Sequence, residues 1–208
     1  MTSELERLFE HLRFPSISTD SRHVADVRAN AEWLQGQFEE MGLQTELHET
    51  PGHPVIVARN ERIEGRGTVL IYGHYDVQPV DPIELWDSPP FEPEVRDGRI
   101  WGRGGADNKG QHFVHMLGAE KTLREEGELP LNVIFLIEGE EEIGSPNLVP
   151  FLNKHKDDLA CDIIAVSDTG MVAPGVPTLG YGLRGITCLE VMVKGPSGDL
   201  HSGVYGGC

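Results

Sequence analysis

Four features are missing or scarce in this 208-residue chain, and each absence removes a class of protein. No apolar run approaches the about 20 residues that cross a bilayer, so no membrane span is expected. The opening residues, MTSELERLFEHLRF, lack the basic-then-apolar order of a secretory signal, and the expected location is cytoplasmic. Cysteine is scarce: Cys161, Cys188 and Cys208 show no CxxC spacing and leave an odd thiol, which argues against a disulfide framework and a thiolate zinc site. Basic residues are also few, 17 Lys and Arg against 34 Asp and Glu, for a net charge of -17. Nucleic acids and anionic membranes are gripped by clustered Lys and Arg, so neither is an expected partner.

What is present reads as a layered globular protein. Helices are expected at 3–14 and 20–41, the second with Val24, Val27, Ala31, Leu34, Phe38 and Met41 on one stripe and Gly42 as its stop. Strands are expected at 43–48, 54–59, 68–73, 131–138 and 162–167, with helices at about 107–126 and 145–156. The last three strands are near-continuous apolar runs (TVLIYG, LNVIFLIE, DIIAVS), as in strands covered on both faces. The fold class is therefore α/β, with a mostly parallel sheet and helices on both faces. The long Pro- and Gly-rich segment from 74 to 106 carries Trp86, Phe91 and Trp101, which favours a folded loop over disorder. A turn-rich passage from Thr178 leads into an alternating strand expected from 185.

The chemistry gathers where the buried runs stop. The first ends in His74 and Asp76, the second in EGEEE with Glu141 and Glu142, the third in Asp168, while Asp107 opens a helix after a Gly-rich loop. His74, Asp107, Glu142 and Asp168 are separated by 33, 35 and 26 residues, about one strand-helix unit each. In open α/β sheets ligands sit beyond the carboxyl ends of the strands. Five carboxylates on one rim repel one another unless a cation compensates them. Mixed His, Asp and Glu ligation without thiolates suits zinc, with manganese and cobalt as alternatives. The number of carboxylates points to two ions, ~3.5–4 Å apart, holding an activated water. Here His74 is a ligand, and Asp76 bonds its other ring nitrogen to fix the tautomer.

Each piece has a plainer reading. Asp168 before Thr-Gly is a common turn, and EGEEEIGSP alone could be a solvated acidic loop. GRGGADNKG resembles a phosphate-cradling loop, but Asp107 stands where GxGxxG needs its last glycine and no Ser or Thr follows Lys109. His112 and His115, three apart on one helix, form a candidate ligand pair without an acidic partner at helical spacing.

Taken together and in order, YGHYDVQP, WDSPPFEP, GRGGADNKG, EGEEEIGS, SDTG and DLHSGVYGG resemble the dinuclear zinc aminoacylase and dipeptidase family, most closely its carnosinase-like dipeptidase branch. The resemblance implies a three-layer zinc-exopeptidase-like sheet in a catalytic domain at 1–183, with the start of a smaller α+β lid and dimerisation domain at 184–208. It implies two divalent ions, His74 and Asp168 ligating one, Glu142 the other, with Asp107 bridging. Asp76 resembles the residue that orients His74. Glu141 resembles the general base for a metal-bridged water, and His201 a lid histidine that stabilises the oxyanion in a neighbouring subunit. The implied reaction is amide hydrolysis of a dipeptide or short peptide, with N-acyl amino acids as alternative substrates and a homodimer as the assembly. A cis peptide is implied at Asp107-Asn108. The chain resembles only the front half of a family member, so an incomplete site is expected, and an inactive scaffold fragment is the competing reading. Thr169 and Gly170 stand where carnosinase-like relatives carry an aromatic, so substrate preference does not carry over.

Overall fold

Helix α1, Glu4–Arg13, starts at Ser3, whose side chain accepts from the Glu6 N–H while Glu6 answers the Ser3 backbone N–H. Acidic residues in its first turn and basic ones in its last complement the helix dipole. Helix α2, Val24–Glu40, buries Val27, Ala31, Leu34 and Phe38 as the stripe requires, although Val24 is exposed. Helix α3, Lys109–Glu126, stops at Gly127, whose left-handed conformation lets its N–H reach the Leu123 carbonyl. Helix α4 is Leu148–His155.

The computed structural model describes residues 3–204; Cys208 and the end of the DLHSGVYGG phrase lie outside them. Strands β1 (Gln44–His48), β2 (Val55–Arg59), β3 (Thr68–His74), β6 (Asn132–Glu138) and β7 (Ile163–Val166) form one sheet in the order β1-β2-β6-β3-β7. Strands β6, β3 and β7 pair in parallel, whereas β2 is antiparallel to both β1 and β6. The sheet is thus mixed in its pairing. A separate hairpin, β4 (Glu94–Arg96) with β5 (Arg99–Trp101), lies in the long 74–106 segment. That segment is folded, with the Trp86 indole N–H donating to the Val80 carbonyl and the Arg103 guanidinium 5.0 Å over the Trp86 ring.

Strand alternation decides which helix each side chain meets. Val133, Phe135 and Ile137 face the core shared with α2 and α3, where the Phe135 and Phe38 rings lie 4.9 Å apart. Ile134 and Leu136 face the opposite core, with Phe151 of α4. Every residue of β6 is buried, the signature of a central strand in a three-layer fold.

The chain divides into two units, Met1–Gly170 and Met171–Cys208. In the second, the strand expected from 185 is absent from the described residues. Ile186, Leu189, Val191 and Val193 are exposed, because an alternating sequence makes a strand only when a neighbouring ladder takes its backbone hydrogen bonds.

Candidate metal centre

Because β3, β6 and β7 run parallel, their carboxyl ends open on one rim. His74 is the last residue of β3, Glu141 and Glu142 begin a short 3-10 turn after β6, and Asp168 follows β7. Asp107 lies two residues before α3, in the loop and not on the helix as expected; the Asp107-Asn108 peptide is cis.

The His74 side chain is fully buried. Its Nδ1 lies 3.1 Å from the Asp76 carbonyl oxygen and 3.3 Å from Asp76 Oδ1, two acceptors that place the ring proton on Nδ1. Nε2 then points into the crevice, 3.2 Å from Asp107 Oδ1, 3.5 Å from Asp168 Oδ2 and 3.9 Å from Glu141 Oε2. It is buried and makes no aligned hydrogen bond. Burial opposes charge on this ring, but the hydrogen bond and charge of Asp76, with the fields of Asp168 and Glu141, outweigh it and raise the pKa to about 9. The site demands a positive charge at Nε2.

Asp76 does more than orient the ring. Its Oδ1 accepts the Glu141 N–H at 3.2 Å, and its Oδ2 accepts the Glu142 N–H at 3.1 Å and the Ser18 hydroxyl at 2.6 Å. One carboxylate therefore fixes both His74 and the turn that presents Glu141 and Glu142. Burial pushes the pKa of Glu141 upward, opposed by His74 and reinforced by Glu142, Asp168 and Asp76. Glu142 is also raised, first by burial, while a 2.7 Å hydrogen bond from Gln78 Nε2 works the other way.

The remaining glutamates of EGEEE are anchors. Glu138 Oε1 accepts from the Tyr72 hydroxyl at 2.6 Å and the Ser145 hydroxyl at 2.8 Å. Glu140 accepts from the His53 N–H and the Asn147 amide. Both are buried.

The structure thus gathers His74, Asp76, Asp107, Glu141 and Asp168, and His74, Asp107 and Glu142 each offer an atom within 4.8 Å of the others. His201 belongs to the second unit, where its Nδ1 accepts the Gly203 N–H at 3.1 Å. His112 and His115 bond elsewhere, to His11 and to Ser167 respectively. Ser18, Gln78 and Asn108 carry no role in the sequence reading. Gln78 and Asn108 lie inside the quoted motifs, while Ser18 is 58 residues from its partner and gives no local signal. One imidazole among carboxylates, with a buried ring nitrogen left without a hydrogen bond, fits a divalent cation.

The signature of peptidase family M20/M25/M40 matches residues 70–194. The chain belongs to that family. It is 35% identical over 214 residues to the cysteinylglycine-S-conjugate dipeptidase of Corynebacterium striatum, covering 100% of this chain and 47% of the relative. It resembles the crystal structure of an M20 family metallo-carboxypeptidase from Sulfolobus solfataricus at 40% identity and a TM-score of 0.74, over 82% of this chain and 38% of that one. Human carnosine dipeptidase 1 matches at 30% identity and a TM-score of 0.76, over 81% and 39%. The chain spans about half the length of the curated relatives it matches. No helix among the described residues is long and apolar enough to cross a membrane.

Proposed function

We propose that this crevice holds two divalent ions, most readily zinc, and serves a dipeptidase. The observation that carries the reading is the buried Nε2 of His74, without a hydrogen bond and within 3.9 Å of three carboxylates. A dipeptide substrate draws support from the two dipeptidase relatives.

His74 and Asp168 would hold one ion and Glu142 the other, with Asp107 as a ligand they would share. Asp76 keeps the His74 ring turned and its proton on Nδ1, so that Nε2 offers a lone pair. When bound, the ion pair supplies Lewis acidity toward the scissile carbonyl and acidifies water. Glu141, with its affinity for protons raised by burial, accepts the proton of the attacking water and delivers it to the departing amine nitrogen as the amide bond breaks. His201 donates to the oxygen of the tetrahedral centre. The reading carries with it a homodimer, in which His201 acts on a neighbouring subunit's crevice, and a cytoplasmic location.

The test is elemental analysis of the chain after loading with zinc and desalting. About two ions per chain supports the reading, and none would refute it.

A further inference from the structure

Strands β3 and β7 are paired only as far as Tyr72 and Val166, two residues short of His74 and Asp168. Beyond that rung the two strands no longer bond each other, yet the crevice needs their ends at a fixed spacing. The gap is bridged by the Asn108 carboxamide. Its Oδ1 accepts the His74 N–H at 3.2 Å, and its Nδ2 donates to the Ser167 carbonyl at 3.0 Å. Asn108 is 1% exposed and follows Asp107 directly.

Two further observations point the same way. Asn108 occupies the N-cap position of α3, where an asparagine side chain ordinarily accepts from the first turn of the helix, but it makes no such bond here. Gly73 lies beside it: a Cβ at that position would stand 2.8 Å from Asn108 Oδ1, so the absence of a side chain leaves room for the carboxamide.

We propose that Asn108 is a positioning residue that acts as the next rung of the β3–β7 ladder, tying the backbones that carry His74, Asp107 and Asp168 into one rigid ligand set. A carboxamide suits the task because it presents a donor and an acceptor in the geometry of a peptide group. Without it, the His74 N–H and the Ser167 carbonyl lose their partner and the two strand ends are free to shift. The inference rests on the metal reading above.

Two variants separate its parts. Asn108→Ala removes both bonds. Asn108→Asp keeps an acceptor for the His74 N–H but sets a carboxylate oxygen against the Ser167 carbonyl. Hydrogen exchange on the metal-free chain reads the clamp: in Asn108→Ala the His74 amide should exchange at least about tenfold faster, with the Leu70 amide unchanged, and in Asn108→Asp it should stay protected. Zinc titration reads the consequence: both variants should bind about 10–100-fold more weakly than the parent chain, with thermal unfolding confirming that they are folded. If Asn108→Ala does not fold, Asn108→Asp decides through zinc affinity. Unchanged exchange at His74, or faster exchange with unchanged zinc affinity, overturns the inference while leaving the metal reading intact. Failure of the parent chain to take up zinc overturns the metal reading, and exchange at His74 then still decides whether Asn108 clamps the strand ends.

Discussion

Two buried imidazole sites lie close together in this protein and behave in opposite ways. At the rim, His74 faces carboxylates and its pKa is raised to about 9. Beneath it, His11 and His112 meet Nε2 to Nε2 at 3.0 Å, with His11 Nδ1 2.8 Å from Asn30 Oδ1. Asn30 Nδ2 already donates to Ser16 and the Tyr75 carbonyl, so its Oδ1 is an acceptor and His11 carries its proton on Nδ1. His112 must then donate from Nε2. Burial, with the fields of His74 and Lys109, lowers His112 to about 3, and burial followed by Lys109 and His112 lowers His11. Lys109 is itself lowered to about 7 by burial, against the pull of Asp76, while its Nζ donates to the His11 and Phe14 carbonyls. Equal burial therefore says nothing about charge. The rim has anionic partners and calls for a cation, whereas the floor has neutral and cationic ones and excludes it, even with two imidazole nitrogens in contact.

The sharpest way to separate rim from floor is Glu141→Gln in the intact protein. Dipeptide turnover should fall by about 10²–10⁴-fold with zinc content unchanged, and a parent-like rate would sink the assignment of Glu141 as general base. Next in size is the pH dependence of unfolding. His74 binds its proton more tightly folded than unfolded, so in metal-free protein its stabilisation is complete below about 6.5 and lost as pH rises through about 9. His112 is the reverse: its contribution holds above about 6.5 and is lost as pH falls toward about 3. Each slope is limited to about 1.4 kcal/mol per pH unit, and zinc should abolish the alkaline one alone by replacing the proton on His74. Denaturant titrations with and without a chelator would reveal a shared slope if the two sites were not distinct. A smaller effect is expected for His112→Leu, which leaves His11 Nε2 without its donor and should cost about 1–3 kcal/mol while zinc stoichiometry stays at the parent value. Loss of metal in that variant would erase the distinction between the sites. Smallest is Ser18→Ala, which removes one of the bonds to Asp76 and should lower stability by about 0.5–1.5 kcal/mol in an equilibrium unfolding curve.

Much of this was legible in the chain because it is local. The stripe of α2, its stop at Gly42 and the run of β6 each follow from residues a few positions apart, and the acidic and imidazole groups at strand ends follow from where the runs break. The misses are non-local. The antiparallel placement of β2 between β1 and β6 depends on partners tens of residues away. The strand expected from 185 had the right alternation but has no ladder among the described residues. The sequence places Asp107 at the start of a helix because a Gly-rich loop ends beside it, whereas the helix begins at Lys109.

The EGEEE phrase marks the division most clearly. Order and residue type alone determined that oxygen donors and one imidazole would collect at the carboxyl ends of a layered sheet, since strand ends in such folds share a rim. Only the tertiary structure decided that Glu138 and Glu140 turn inward to hydrogen-bond partners while Glu141 and Glu142 face the crevice, and that the proton affinity of His74 is raised where that of His112 is lowered. The physical reason is that a side chain's identity fixes which atoms it can offer. Its proton, its charge and its direction are fixed by neighbours that folding brings from elsewhere in the chain.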